Sequence, residues 1–569
     1  MTTRSLFVFS VLGLMACGVG EPGSGAIGVV ATALTSTCEV GAAPQGVVDR
    51  VQILVTGSDP DTRKIAVLAD GTKAITASTQ DVSLGDVPVG LDNVVTVLGF
   101  VPGQETPSWF GRRREVAVTQ NRTTDVEMVL TRYGSFTCVG VPQMFPQLTF
   151  SSSVVLGDGR VLMTGGFTSA TDKGDGTFKL GGASRSAYVY DPSKGELTEI
   201  AQMVEARAGH SMVYVPAVGS ERVLIFGGTT SMTVKGVSFP LEIDANSSLD
   251  SYEIFDVATS TFALALKRDG NPDRMLQPRA FSTVGRLFDD TVLITGGGKW
   301  PLDDSNYNVA ELWAPYANKD EAGENPIGGL LDLHGGLKLN SQHNGAAMVK
   351  LEDTSQGLSR LLVVGGTTSG DSVVEIFTQS SGQQAGASGA FRSVAVNGLP
   401  TLFFPAVMPV KETDKGLKRF LVAGGVKYER GKWVEPVANA WLLTVDSTDK
   451  VDTISAQTLD ASPCGGMFFH KGSSSFEGDL AVLLGGYRDF SGVAKAGACF
   501  FDLATSKFST PSALGKPDFF ARAGHTVERL IDDTLLVTGG MVDAAGLSDG
   551  STGLLELYTP PVLKTNLAQ

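Results

Sequence analysis

The sequence has few of the side chains on which metal-dependent and covalent catalysis most often rely. Histidine and cysteine occur only five times each in 569 residues, and no two cysteines have the spacing of a zinc or redox motif. A phosphate-binding loop and an HExxH zinc motif are also missing. The commonest signatures of nucleotide hydrolysis and zinc chemistry are therefore excluded.

Basic residues and long apolar runs are scarce as well. The 45 Lys and Arg are outnumbered by 60 Asp and Glu, so a net charge of -15 opposes binding to nucleic acid. No stretch reaches the roughly 20 apolar residues that a membrane-spanning helix needs. What the chain has in abundance is glycine (69) and proline (25), which indicates short strands, tight turns and an all-β fold.

The N-terminus has the layout of an export signal, with Arg4 before an apolar run that extends from Leu6 to Met15. The following Leu14-Met15-Ala16-Cys17 resembles the lipobox of bacterial lipoproteins. This resemblance implies a signal peptide over 1–16, a lipid on Cys17, and a place in the cell envelope at the outer membrane, periplasmic or surface-exposed. An ordinary secretory signal is the alternative. The small, Gly-rich residues 17–37 predict a flexible tether.

Residues 38–132 read as a small β-sandwich. Apolar and polar residues alternate at period two over 51–55, 64–68, 94–98 and 124–130, with turn residues between these segments. The segment 84–103 resembles the prealbumin-like or immunoglobulin-like modules of exported bacterial proteins. This resemblance implies a sandwich without any catalytic chemistry.

One pattern recurs over the rest of the chain: an apolar run closed by two glycines. The seven copies are RVLMTGG, RVLIFGG, TVLITGG, RLLVVGG, RFLVAGG, LAVLLGG and TLLVTGG, ending at Gly166, Gly228, Gly297, Gly366, Gly425, Gly486 and Gly540. They stand 54 to 69 residues apart, which is the sequence signature of a repeat architecture. A second short strand follows each glycine pair, and in two copies R-A-G-H precedes the run.

This order of elements resembles the kelch repeat, and it covers about three quarters of the chain. The resemblance implies a seven-bladed kelch-type β-propeller over 133–563, one four-stranded blade for each copy. The last copy stops after its third strand, whereas an unassigned strand at 134–141 precedes the first copy. We therefore expect this strand to complete the last blade and to close the ring.

Four cysteines follow Cys17 in a compartment where disulfides persist. Cys38 and Cys138 bracket the predicted sandwich, so we expect them to be paired. Cys464 and Cys499 belong to the first and third strands of one repeat, with a strand between them. For this reason we expect both thiols to be free.

Basic residues recur where the first strand of a repeat begins. Counted back from the glycine pairs, this position holds Leu148, Arg207, Arg279, His343, Phe403, Cys464 and Arg522. In kelch adaptor proteins an arginine here lines a pocket for acidic peptides, so the resemblance implies a ligand-binding arc of Arg207, Arg279 and Arg522 with His343 beside it. Bonding of each arginine to carbonyl groups of neighbouring blades is the alternative. The recurring Glu253, Glu311, Glu375 and Glu556 predict solvated or turn-bonded side chains.

These patterns favour a binding or scaffold protein over an enzyme. The kelch-bladed copper oxidases need two His and two Tyr at the metal, and His210 and His525 occupy one repeated motif position typical of a structural residue. We expect no metal, no cofactor and no nucleic-acid partner, and a monomer that recognises a protein or glycan ligand at the envelope. An oxidase or lyase in the propeller channel is the alternative function, and a structural surface-layer component is a third.

Overall fold

The computed structural model has an all-β architecture. It describes residues 5–7, 24–33, 50–57, 64–69, 82–142, 145–216, 221–235, 241–244, 246–298, 308–319, 327–333, 337–354, 357–367, 374–380, 389–429, 432–447, 452–495, 497–510, 521–547 and 553–560. Within these ranges there are ten sheets and no helix. In the same ranges, therefore, no helix is available that could cross a membrane.

Seven of the ten sheets are antiparallel with a path of four strands, one sheet for each copy of the sequence repeat. We number them I to VII in chain order. Sheets I to III contain Ser152–Val155, Val161–Thr164, Ala187–Asp191 and Glu196–Glu199; Ser211–Val215, Arg222–Phe226, Tyr252–Asp256 and Thr261–Leu264; and Ser282–Arg286, Val292–Gly296, Val309–Ala314 and Gly329–Leu330, with Leu337–Lys338 added beside the third strand.

Sheets IV to VII follow the same plan. Their strands are Ala347–Asp353, Leu358–Val364, Val374–Ser380 and Ala390–Val394; Ala406–Val410, Lys418–Ala423, Asn439–Asp446 and Thr453–Asp460; Lys471–Ser474, Leu480–Leu484, Ala498–Asp502 and Lys507–Ser509; and Ala523–Arg529, Leu535–Met541, Leu555–Tyr558 and Phe136–Cys138. The second strand of every sheet is the apolar run identified in the sequence, and it is buried because it lies between neighbours on both sides.

The fourth strand of sheet VII comes from a distant part of the chain. Phe136–Cys138 pairs antiparallel with Leu555–Tyr558, with Thr137 opposite Leu557. Phe136 packs with its ring centre 4.4 Å from that of Tyr558, in an apolar cluster shared with sheet VI. The pairing is the one expected for the strand at 134–141, although only three of those residues are in strand conformation.

The first strands of the seven sheets lie side by side. Each contacts the first strand of the next sheet, and the first strand of sheet VII contacts that of sheet I. The order of contacts therefore returns to its starting point. The glycine pair at the end of each second strand makes this approach possible. Both glycines have positive φ, and in six of the seven pairs a backbone oxygen of the next sheet leaves no room for a Cβ on the first glycine. At Gly227, for example, a Cβ would lie 2.1 Å from the carbonyl oxygen of Arg279.

Two smaller sheets extend from the loops that follow the glycine pairs. One consists of Phe167–Asp172, Thr177–Ala183, Met232–Lys235 and Leu241–Ile243, and the other of Leu402–Phe403, Val426–Glu429 and Lys432–Pro436. Two strands, Met232–Lys235 and Leu241–Ile243, therefore lie in the connection between the second and third strands of sheet II. Both sheets lie on the face of the ring at which the second strands end.

The N-terminal part forms an eight-stranded sheet. Its strands are Ser5–Phe7, Ser24–Ala33, Arg50–Thr56, Lys64–Ala69, Val82–Pro88, Gly90–Phe100, Trp109–Val118 and Thr123–Arg132. The prediction of a flexible tether over 17–37 needs correction, since Ser24–Ala33 pairs in parallel with Thr123–Arg132 and buries Ile27 and Val29 in the core. Its β-branched residues alternate with small ones, which suits a pleated, half-buried strand better than a linker.

Arginines join the N-terminal sheet to the ring. Arg112 and Arg114 donate to Asp533 at 2.9 and 2.7 Å, and Arg114 also lies over the ring of Phe476. Asp533 and Phe476 belong to the turns between first and second strands in sheets VII and VI. The N-terminal sheet is therefore on the face of the ring opposite the two added sheets.

Candidate functional site

The basic residues at the start of the first strands are buried inside the sheets. Arg207, Arg279 and His343 are 0% exposed and Arg522 is 3% exposed. Each contacts the glutamate on the third strand of its own sheet: Glu253, Glu311, Glu375 and Glu556 in the same order. This placement corrects the expectation of an open, ligand-binding arc, because an internal carboxylate occupies the position that a ligand carboxylate would take.

Arg279 illustrates the geometry. Its guanidinium donates to Glu311 at 3.0 and 3.1 Å and to the carbonyl oxygens of Gly296 and Val309, both at 2.7 Å. The other oxygen of Glu311 accepts the backbone N–H of Leu276 at 2.7 Å. The glutamates are thus turn-bonded, as one of the two sequence interpretations proposed, but they are not solvated. The arginine bonds carbonyl groups of its own sheet and not those of a neighbour.

The histidine of sheet IV replaces the arginine with a smaller donor. His343 lies 3.2 Å from Glu375, and its other ring nitrogen is 2.6 Å from the carbonyl oxygen of Gly365. Burial works to raise the pKa of Glu375, but hydrogen bonds from His343 and from the N–H groups of Asn340 and Ser341 hold it below its usual value. A lowered pKa means that this contact stabilises the fold at neutral pH and is lost as the pH falls through the pKa of the folded state.

Sheets I, V and VI lack this ion pair. The carbonyl groups that accept from the glycine pair of the preceding sheet belong to Leu148, Arg207, Arg279, Leu402, Met467 and Arg522. The equivalent residues in sheets V and VI are therefore Leu402 and Met467. The prediction that Phe403 and Cys464 occupy this position is therefore wrong, by one and three residues. The reason is that the segment before each first strand varies in length.

The structure also changes the predicted state of the Cys464 and Cys499 thiols. Cys464 lies in the turn before sheet VI and is bonded to Cys499 on the third strand, so the prediction of two free thiols is wrong. The third-strand position that carries glutamate in sheet VII carries Cys499 here. Cys138 is also disulfide-bonded. Cys17 and Cys38 lie outside the described residues, as does His334.

The residue two positions after each of these arginines, and after its equivalent in the other sheets, lies at the centre of the ring. All seven residues at this position have positive φ, between 51° and 66°. They are, in chain order, Phe150, Gly209, Phe281, Gly345, Phe404, Phe469 and Gly524. Backbone hydrogen bonds run between neighbours, as from Phe281 to Gly209 at 2.8 Å and from Phe404 to Gly345 at 2.7 Å. A left-handed conformation costs a phenylalanine about 1 to 3 kcal/mol, so the surrounding packing must offset this strain.

The four phenyl rings supply that packing. The ring centres of Phe404 and Phe469 are 4.6 Å apart, and Phe150 lies 5.1 Å from Phe469 and 5.5 Å from Phe281. The intervening glycines leave space for the rings: a Cβ on Gly209 would lie 2.9 Å from Phe281. We call these four residues the phenylalanine plug, because they meet where the seven first strands converge.

A pocket of about 210 Å³ lies beside the phenylalanine plug, on the face that carries the two added sheets. We call it the aromatic pocket, and its ring-bearing walls are Phe150, Phe178, Phe468, Phe469, Tyr487 and Phe490. Ser491 and Asp543 add a hydroxyl and a carboxylate to an otherwise apolar lining. Phe178 and Phe490 are only partly buried, so their rings present apolar surface to a ligand.

Histidines lie beside the plug but do not form a metal centre. His210, His470 and His525 each follow a plug position and are buried. Burial lowers the pKa of His470 to about 3 and those of His210 and His525 well below the usual range, so all three are neutral. Across the described part of the chain, no three His, Cys, Asp or Glu side chains are grouped to hold a metal ion.

No protein-family model matches the chain, and no curated protein matches it. Among solved structures, one that is similar is a fungal alcohol oxidase with catalytic diversity among the AA5 family, in complex with copper. The identity is 14% and the TM-score is 0.49, over 75% of this chain and 76% of that chain.

Proposed function

We propose that the seven four-stranded sheets are the blades of a kelch-type β-propeller, and that the N-terminal sheet is a sandwich domain packed against it. Three observations support the propeller. The sequence repeats seven times with the glycine pair at one fixed place, each copy supplies at least three strands of one antiparallel sheet, and the contacts between first strands return to the starting sheet. For the sandwich, one apolar cluster joins Ile27 and Val126 to Ile53 and Val97.

The function that the geometry supports best is ligand binding at the cell envelope, with the aromatic pocket as the contact site for a protein or glycan. The observation that carries this proposal is the composition of the pocket. Binding sites are concave and mostly apolar, with a few polar groups that set the orientation of the ligand. Partly exposed aromatic rings beside one carboxylate fit either a sugar ring or an apolar side chain of a protein.

Replacing two rings of the pocket tests this proposal. In the purified protein, Phe178→Ala with Phe490→Ala removes two partly exposed rings, so capture of the ligand should fall at least about tenfold, as for aromatic contact residues in general. The ligand is identified first, by pull-down from envelope extract and by a glycan array. The melting temperature should change little, because neither ring is fully buried.

Phe288→Ala serves as the matched control. Phe288 is 44% exposed and lies in the turn between the first and second strands of sheet III, on the opposite face. It should leave capture unchanged. Equal capture by the pocket variant and the parent protein would refute the aromatic pocket as the binding site.

We further propose that the protein is exported, cleaved before Cys17 and lipid-anchored in the outer membrane. The lipobox-like sequence before Cys17 supports this location. Cleavage would remove Ser5–Phe7 and leave Ser24–Ala33 in the sheet, so the lipid and the N-terminal sheet would be separated by only a few residues. Two or three acyl chains would be enough for stable anchoring.

The lipid anchor has a direct test. Cys17→Ser should block lipid attachment and signal cleavage, so that the protein keeps its signal sequence and lacks the lipid-dependent mass. Intact mass spectrometry of the protein from membrane and soluble fractions measures both. Ser10→Ala is the control, because it changes the same signal sequence without removing the cysteine, and it should leave processing unchanged. Normal processing of Cys17→Ser would contradict a lipoprotein.

We propose a monomer without nucleic-acid partners, cofactor or catalytic activity. The net charge of -15 supports the exclusion of nucleic acid. An oxidase or lyase in the channel is the alternative, and copper in the purified protein would favour it. Self-assembly without a soluble ligand would favour a structural surface component.

A further inference from the structure

The seven first strands line an open cavity of about 420 Å³, and Phe150 and Phe469 lie between it and the aromatic pocket. The phenylalanine plug lies at one end, and the walls are mostly small or hydroxyl-bearing residues. Among the described residues, its wall carries one lysine and one carboxylic acid: Lys471 of sheet VI and Glu528 of sheet VII. These strands are neighbours in the ring.

The side chain of Lys471 has no hydrogen bond or ion pair with any described residue, although its backbone pairs with Leu484. Its side chain faces the cavity and is exposed there. The protein atoms around the cavity nevertheless replace part of the water around the ammonium group, which disfavours its charged form. Burial accordingly lowers the pKa of Lys471.

Glu528 is held by one hydrogen bond. Ser153 of sheet I donates to one of its oxygens at 2.7 Å, which leaves the second oxygen for another partner. Burial raises the pKa of Glu528 to about 7, although the Ser153 bond and the charge of Lys471 act to lower it. At neutral pH the group therefore exists in both protonation states, and its protonated form can donate a hydrogen bond.

The surroundings of Glu528 contain few other charges. The strands packed against its own are Ser152–Val155, Lys471–Ser474 and Leu535–Met541, and Lys471 is the one charged residue among them. On its own strand stand His525, which is neutral, and Arg529, which lies over the ring of Phe476 at the turn. Thr526, two residues before Glu528 and on the same side of the strand, has a buried hydroxyl without a partner among the described residues.

We propose that this cavity binds a small organic carboxylate, held between the side chains of Lys471 and Glu528. The lysine supplies the positive charge, because its ammonium group can donate a charge-assisted hydrogen bond to a bound carboxylate. The protonated glutamic acid supplies a second donor. Ionised Glu528 would instead repel the ligand, so binding is coupled to proton uptake.

Calorimetric titration of the purified full-length protein with acetate and with pyruvate tests the proposal, with chloride as the reference anion. Between pH 6 and pH 8 the affinity should fall about tenfold, because a group with a pKa near 7 changes from mostly protonated to mostly ionised. Titrations in buffers of different ionisation heat should show that a proton is taken up on binding at pH 8.

Three variants distinguish the contributions of Lys471 and Glu528 to binding. Lys471→Met should abolish binding at every pH, whereas Lys507→Met, at an exposed position on the same sheet, should not alter it. Glu528→Gln keeps a donor without a titrating group, so it should bind with similar affinity at pH 6 and pH 8. Binding that survives Lys471→Met, absence of binding by both acids at pH 6, or an undiminished pH dependence in Glu528→Gln would overturn the proposal.

Discussion

Arg279→Ala should lower the free energy of unfolding by about 3 to 5 kcal/mol, since it leaves the carboxylate of Glu311 buried without its partner. Four hydrogen bonds to Glu311, Gly296 and Val309 are lost in the same step. Denaturant unfolding monitored by tryptophan fluorescence measures the change. This is the opposite of what a ligand-binding arginine would show, namely lost binding in a stable protein.

Two comparisons make the Arg279 measurement specific. Arg274→Ala removes an arginine of the same loop whose side chain is 48% exposed in its ion pair with Asp250, and it should cost no more than about 1 kcal/mol. The double variant Arg279→Leu with Glu311→Leu removes both charges and should be more stable than Arg279→Ala. If Arg279→Ala and Arg274→Ala unfold alike, the buried ion pairs do not support the sheets.

Phe136→Ala should destabilise the protein by about 3 to 5 kcal/mol, as expected for loss of a buried ring. Phe136 is 6% exposed and joins the fourth strand of sheet VII to Tyr558 and to the apolar cluster of sheet VI. Since it sits where the two ends of the ring meet, hydrogen exchange should accelerate most at 136–138 and 555–558. Amide exchange followed by mass spectrometry locates the effect.

Phe262→Ala provides the matched comparison for ring closure. Phe262 is on the fourth strand of sheet II, with its ring centre 4.7 Å from that of Phe255, and it is only partly buried. Its loss should be milder and confined to sheet II. A uniform increase in exchange over all seven sheets after Phe136→Ala would show that 136–138 has no special role in closure.

The repeat made most of the sheet order predictable. The glycine pairs fix the end of every second strand, and the incomplete last copy directed attention to the strand at 134–141. Segments without a repeat were less predictable: Ser24–Ala33 is rich in glycine and alanine, so its composition resembles a linker, and only its pairing with Thr123–Arg132 shows it to be a strand.

The burial of the arginines was harder to predict from the sequence, because the residue type alone does not show whether an arginine is buried. One signal was available: the copies that have Arg or His before the first strand are the same four that have Glu on the third strand, and Leu148, Leu402 and Met467 occur where Glu is absent. That coincidence indicates internal pairs. The phenylalanine plug has a similar signal in the alternation of Phe and Gly, but its register depends on loops whose lengths differ.

The central claim is that the aromatic pocket binds the ligand, whereas the buried arginines stabilise the sheets. Ligand capture and melting temperature, measured together on two variants, test this claim most directly. One variant carries Phe178→Ala and Phe490→Ala in the aromatic pocket, and the other carries Arg279→Ala inside sheet III. The pocket variant should lose capture at an unchanged melting temperature, whereas Arg279→Ala should melt several degrees lower and, while folded, still capture the ligand. Lost capture by a thermally unchanged Arg279→Ala, together with full capture by the pocket variant, would contradict the account.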